Sequence, residues 1–225
     1  MASDPTKETD DVSGAASAAS DDAAPVEDEV EPGPGPDAMA DPPIAVAELA
    51  AACVRFVSTS YRVVLDFSAD TLSLLDQWVR DAHDEAHARP AALELVQSAA
   101  GAYLGEVIRR EFGGRWFADG ELSSWRLYLP TVYCAFNPIG MVREALLLEP
   151  AEGWHGHFEL DPGERDAVDA RLAVLPSASD EEYYAPSTRF DVLSIIVDAL
   201  RTEMRSHGLD DVRFTPQDYE SSGRP

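Results

Sequence analysis

The chain has 225 residues, with 17 basic against 42 acidic side chains and a formal charge of −25 at pH 7. With 45% hydrophobic residues it can bury one sizeable core and still leave room for extensions. The charge excludes direct binding to nucleic acid and attraction to an anionic membrane surface, because both need clustered Lys and Arg.

Residues 1–43 form a separate acidic region. Twelve carboxylates against Lys7 alone give it a charge of −11, and it holds no aromatic residue. With the run Pro32-Gly33-Pro34-Gly35-Pro36, this composition buries too little apolar surface to offset chain entropy. A disordered segment is expected, either a solubilising tail or a partner-binding arm. No charged segment followed by an apolar stretch opens the chain, so no signal peptide is expected. Lys7 is the sole lysine, which removes Schiff-base and P-loop chemistry from the folded part.

Folded structure is expected from residue 44, after Asp41-Pro42-Pro43 as a helix start. Val46, Leu49, Ala50, Cys53, Phe56 and Val57 share one helical face, opposite Glu48 and Arg55. The apolar run 44–57 is too short to span a bilayer, and the protein is expected in the cytoplasm. Cys53 and Cys134 form no C-x-x-C and read as reduced, apolar thiols.

An extended piece covers 62–67. Ser68 then caps a second helix with the stripe Leu72, Leu75, Val79, Ala82 and Ala86. Pro90 restarts the helix, which runs to Phe112 and stops at Gly113-Gly114. Alternation predicts short strands at 115–117, 123–129 and 131–136, with Ala118-Asp119-Gly120 as a turn. Asn137-Pro138 closes the sheet and a helix follows over 139–148. Asp161-Pro162-Gly163-Glu164 has capping-box spacing ahead of a helix through Val168, Leu172 and Leu175. The last long helix follows Ser187 or Thr188 and ends at Gly208. The expected fold is α+β, mostly helical, with one small antiparallel sheet of about three strands. Its domain covers 44–208, with 151–208 as a helical extension or subdomain and 209–225 as a C-terminal tail.

His83-Asp84-Glu85-Ala86-His87 is the most suggestive local pattern. Histidines at i and i+4 present both imidazoles to one point, as in the zinc motif H-E-x-x-H. Here Asp84 stands where the water-activating glutamate would be, and both histidines sit at the edge of the apolar stripe. His83 and His87 are therefore either a metal pair or amphipathic residues flanking a core. His155 and His157 read as exposed loop residues between glycines. There is no G-x-S-x-G, and the Gly33-Gly35 pair follows no strand, so neither a nucleophile elbow nor a dinucleotide fingerprint is present. No catalytic residue and no cofactor are expected.

Gly101 and Gly105 lie one turn apart on a helix, costing about 1 kcal/mol each relative to alanine. Something must approach that face closely, either a packed neighbouring element or a partner's backbone. Glu106 and Arg110 have the spacing of a helix-stabilising pair.

Leu65-Asp66-Phe67-Ser68, Tyr103-Leu104-Gly105-Glu106-Val107-Ile108-Arg109-Arg110, Gly113-Gly114-Arg115-Trp116 and Asn137-Pro138-Ile139-Gly140 carry a resemblance. Over residues 65–146 the chain resembles a group of uncharacterised bacterial proteins with an L-D-x-S … Y-L-G-E-V-x-R-R … G-G-x-W pattern. That resemblance implies a fold unit of unknown function and no catalytic residues.

The functional expectation is a cytoplasmic interaction module of inhibitor, immunity or adaptor type. It would bind a protein partner, possibly a basic one, through its shape and negative charge. Gly101, Gly105, Trp116, Trp125 and Tyr128 are the candidate contact residues, with core burial as the competing role for the aromatics. A metal-dependent hydrolase using His83 and His87 and a scaffold component of a larger assembly are the other readings.

Overall fold

The computed structural model describes residues 41–222. The expected disorder of residues 1–43 therefore falls, up to residue 40, outside the described residues. Among those described are eight α-helices and one antiparallel sheet of four short strands. The class is α+β, mostly helical.

The centre is α3 (Pro90–Phe112), buried without a break from Val96 to Arg109. A helix apolar on every side must be covered on every side. Three helices cover it: α1 (Ile44–Tyr61), α2 (Leu72–Ala88) and α4 (Pro138–Leu147). Val46, Ala50, Cys53 and Val57 form the buried face of α1. That helix runs for 18 residues with a mean hydropathy of 1.3, long and apolar enough to cross a membrane by length and composition.

Gly101 and Gly105 explain how α3 is covered so tightly. A Cβ at Gly101 would strike the Ile139 backbone of α4, and one at Gly105 would strike the Trp116 indole. The close neighbour on this face is the domain itself.

The sheet runs β1 (Arg115–Phe117), β2 (Arg126–Leu129), β3 (Cys134–Phe136), β4 (Glu159–Leu160), in that order. Leu127 pairs with Trp116 on one side and Phe136 on the other. Leu127, Tyr128 and Leu129 of β2 and all of β3 are buried, so both faces of the sheet are covered.

Two predicted strands are shorter than alternation suggests. Residues 122–124 form a 3₁₀ turn, because Ser124 Oγ donates to the Asp119 and Glu121 carbonyls and Asn137 Nδ2 donates to those of Leu122 and Ser123. Residues 130–133 are a turn: its Val132 carbonyl accepts the Tyr219 hydroxyl and its Pro130 carbonyl the Phe214 N–H, in place of ladder partners. Strand β4 was not legible as a strand, having only two residues.

The C-terminal third belongs to the same core. It adds α5 (Arg165–Leu172), α6 (Asp180–Tyr184), α7 (Pro186–Ser206) and α8 (Pro216–Ser222). Val168, Leu193 and Leu200 share one buried cluster with Leu75, Leu104 and Phe136. The expected box at 161–164 is a turn instead: Asp161 Oδ1 accepts from the Gly163 N–H, and Glu164 at the helix start makes no side-chain cap. A capping box forms at Ser179 and Glu182, one element later. Nor does the chain leave the domain at residue 208. The Phe214 N–H donates to the Pro130 carbonyl, and Tyr219 stacks on Tyr133 with centroids 4.5 Å apart.

Candidate functional site

Four separate segments build a groove along one face of α2. Asp76, Arg80, His83 and Asp84 come from α2, Ala145 and Leu148 from the end of α4, Glu181 from α6, and Ala185 and Pro186 from the start of α7. The cavity holds about 180 Å³. Its lining carries three carboxylates, two of them on α2 with Arg80 and His83 and the third, Glu181, on α6.

Asp76 ties the groove together. It accepts the Ser187 N–H at 3.0 Å and the Ser187 hydroxyl at 2.5 Å, so α2 holds the first turn of α7. Ser187 thus spends its side chain on another helix instead of capping its own. Burial, followed by the nearby Asp191, holds the Asp76 carboxyl above its usual value of 3.8, although Ser187 and Arg80 pull it down. The Asp84 side chain is fully exposed, whereas Arg80 is held at Gln77 by a 3.0 Å bond.

A second built element joins α4, α6 and α7. Arg189 of α7 donates from Nη2 to Glu144 Oε2 of α4 at 2.8 Å, and both side chains are almost wholly buried. The Tyr183 and Tyr184 rings lie 4.6 and 5.3 Å from the guanidinium. This pairing fixes α6 against α7 and so places Glu181 at the rim.

The contact residues named from sequence lie elsewhere. Gly101 and Gly105 are closed over by Ile139 and Trp116. Trp125 and Tyr128 are buried at 5% and 7% exposure, which leaves almost none of either ring for a partner. Trp116 is partly buried and gives its Nε1–H to Glu106 at 2.8 Å. These five residues serve the core, for the packing reasons just given.

His83 and His87 come together, with ring centroids 4.3 Å apart. However, His87 Nδ1 lies 3.0 Å from the His83 carbonyl oxygen, and His83 Nδ1 lies 3.3 Å from Asp84. Among the described residues, the three-donor group is a different one: His155, His157 and Glu159, whose ligand atoms all lie within 4.8 Å of one another. Both histidines lie in a loop, as their flanking glycines imply, and what spacing alone does not show is that Glu159 converges on them. The signal was the alternation His-x-His-x-Glu, which becomes visible only once β4 is known.

Cys53 and Cys134 are free and buried, and burial pushes both thiols well above their ordinary value. Neither is placed for nucleophilic chemistry. No protein-family model, curated protein or solved structure matches the chain.

Proposed function

We propose that this is a cytoplasmic protein-interaction module that receives a basic segment of a protein partner in the groove between α2, α6 and α7. The observation that supports this reading is the set Asp76, Asp84 and Glu181 lining a cavity of about 180 Å³, with Arg80 and His83 as the basic side chains among them. That volume equals about six waters of liquid, room for one long basic side chain. The apolar wall of Val79, Ala145, Leu148 and Pro186 suits its methylene stem, and the carboxylates suit its head. A body this acidic also steers a basic partner towards it from a distance.

The test separates the groove from the general charge. Binding of a labelled arginine-containing peptide is measured by fluorescence anisotropy at low and high salt. The double variant Asp84→Lys/Glu181→Lys should weaken it at least about tenfold, the size of a few close charge pairs. Asp198→Lys, on the exposed side of α7, should change it little beyond the screened long-range effect. Equal losses in both variants would mean that the groove has no special role.

Asp76 gives a second expected result. A carboxyl whose folded value is raised binds its proton more tightly folded than unfolded. Its contribution is present below pH 3.8 and is lost as pH rises through the raised value. From acid to neutral pH, the wild type should therefore lose stability relative to Asp76→Asn. Urea denaturation of both proteins across that range checks this, and a pH-independent difference would contradict it.

A further inference from the structure

The structure assigns a transition-metal site to His155 and His157, on the loop that leads into the edge strand β4, and Glu159, the first residue of that strand. The three donors converge rather than fan apart: every ligand atom lies within 4.8 Å of the others, and the imidazole centroids are 6.1 Å apart. Convergence does not follow from spacing alone. His155 has a left-handed backbone, φ 51°, in a residue with a β-carbon. That conformation turns its ring back over Glu159, with Nδ1 3.0 Å from Oε1. Strained backbone of this kind persists only where its surroundings impose it.

Those surroundings are rigid. The His155 carbonyl accepts the Asn137 N–H at 2.8 Å, and the Asn137 side chain is itself fully buried. The Trp154 backbone presses on Gly140 so closely that a Cβ there would collide with its carbonyl, and the Arg143 guanidinium lies 4.9 Å over the Trp154 ring. A ligand loop anchored on both sides loses little freedom when an ion arrives.

Two imidazoles and one carboxylate suit zinc, whereas magnesium and calcium prefer all-oxygen sites. Three protein ligands leave at least one coordination position for water. The Arg126 Nε lies 3.8 Å from Glu159 Oε1, a like charge that limits affinity without blocking the imidazoles. His157 also lines a cavity of about 520 Å³ between β4, α5 and α7. The ion would sit at the edge of that cavity.

The test uses the full chain, purified without a histidine tag, and zinc alone as the probe. Calorimetric titration should give saturable binding of a single equivalent. His155→Ala, His157→Ala and Glu159→Gln should each weaken it at least about tenfold, with unchanged circular dichroism. The double variant His83→Ala/His87→Ala should bind as the wild type does. Cobalt in place of zinc should give visible absorption bands that the three single variants lose. Absence of saturable binding in the wild type, binding retained in all three variants, or binding lost in the His83/His87 variant would each overturn the assignment.

Discussion

Glu106→Ala is expected to cost about 3–5 kcal/mol of folding stability, the usual loss when one member of a buried ion pair is removed. For a chain of this size that corresponds to a fall of roughly 6–20 °C in thermal midpoint. Glu106 is 2% exposed and Arg109 4%, and two bonds of 2.8 and 2.9 Å join carboxylate to guanidinium edge-on. Glu106 Oε1 also accepts the Trp116 N–H. Alanine would leave the guanidinium buried without its carboxylate and the indole N–H without its acceptor. The pair should be far more costly to break than to replace. Glu106→Leu/Arg109→Leu removes both charges together and should be less destabilised than Glu106→Ala. Chemical denaturation of the three proteins decides it; a loss under about 1 kcal/mol in Glu106→Ala would mean that water reaches the pair.

That interaction shows where the sequence becomes ambiguous. Spacing alone favours Glu106 with Arg110, four residues on. In the fold, Arg109 turns inward to Glu106 while the Arg110 guanidinium lies 4.1 Å over the Phe67 ring. A helical wheel ranks the two arginines by angle but cannot know that Trp116 comes back to cover one side. The long helices α2 and α7 were legible because each buries one face at helical period, Leu72, Leu75 and Val79 on α2 and Phe190, Leu193 and Val197 on α7, whereas the short α6 and α8 were not. Strand ends were not. Ser124 and Asn137 divert the backbone of 122–124 into side-chain bonds, and such competition leaves no mark on hydrophobic alternation. Helix starts suffered likewise. Asp161-Pro162-Gly163-Glu164 and Ser179-Asp180-Glu181-Glu182 match one pattern, and only the second places both reciprocal bonds.

The two candidate sites were hidden for different reasons. The groove collects residues 76–84, 145–148, 181 and 185–186, brought together by the packing of α2, α4 and α7. No local motif records that assembly. Each acid alone reads as ordinary surface charge, and the Asp76–Ser187 bond, across 111 residues, holds the start of α7 to the α2 wall. The His155–Glu159 cluster is local, yet glycines 153 and 156 made the segment read as loose. In the fold Gly156 is where it is for packing: a Cβ there would strike the Glu144 carboxylate. The glycine marks close approach to a buried ion pair rather than freedom.

The second large effect concerns a residue in the segment taken from sequence for a tail. Tyr219→Ala is expected to cost about 3 kcal/mol, the lower end for aromatic truncation because the ring is only partly buried. Its hydroxyl accepts the Cys134 N–H at 3.0 Å and shares its proton between the Leu129 and Val132 carbonyls. Burial holds that hydroxyl far above its ordinary value, so it stays a neutral donor throughout the working pH range. Tyr219→Phe separates the two parts: it keeps the stacking on Tyr133 and the tilted contact with Tyr128 but leaves a buried N–H unsatisfied, for about 1–3 kcal/mol. Thiol labelling gives a local readout. Cys134 sits beneath Tyr219 and Cys53 on α1, so undocking of α8 should speed the reaction of Cys134 and leave Cys53 slow. Equal acceleration at both thiols would mean that the variant loosens the whole core, and that α8 does not act as a separate clasp on the β2–β3 turn.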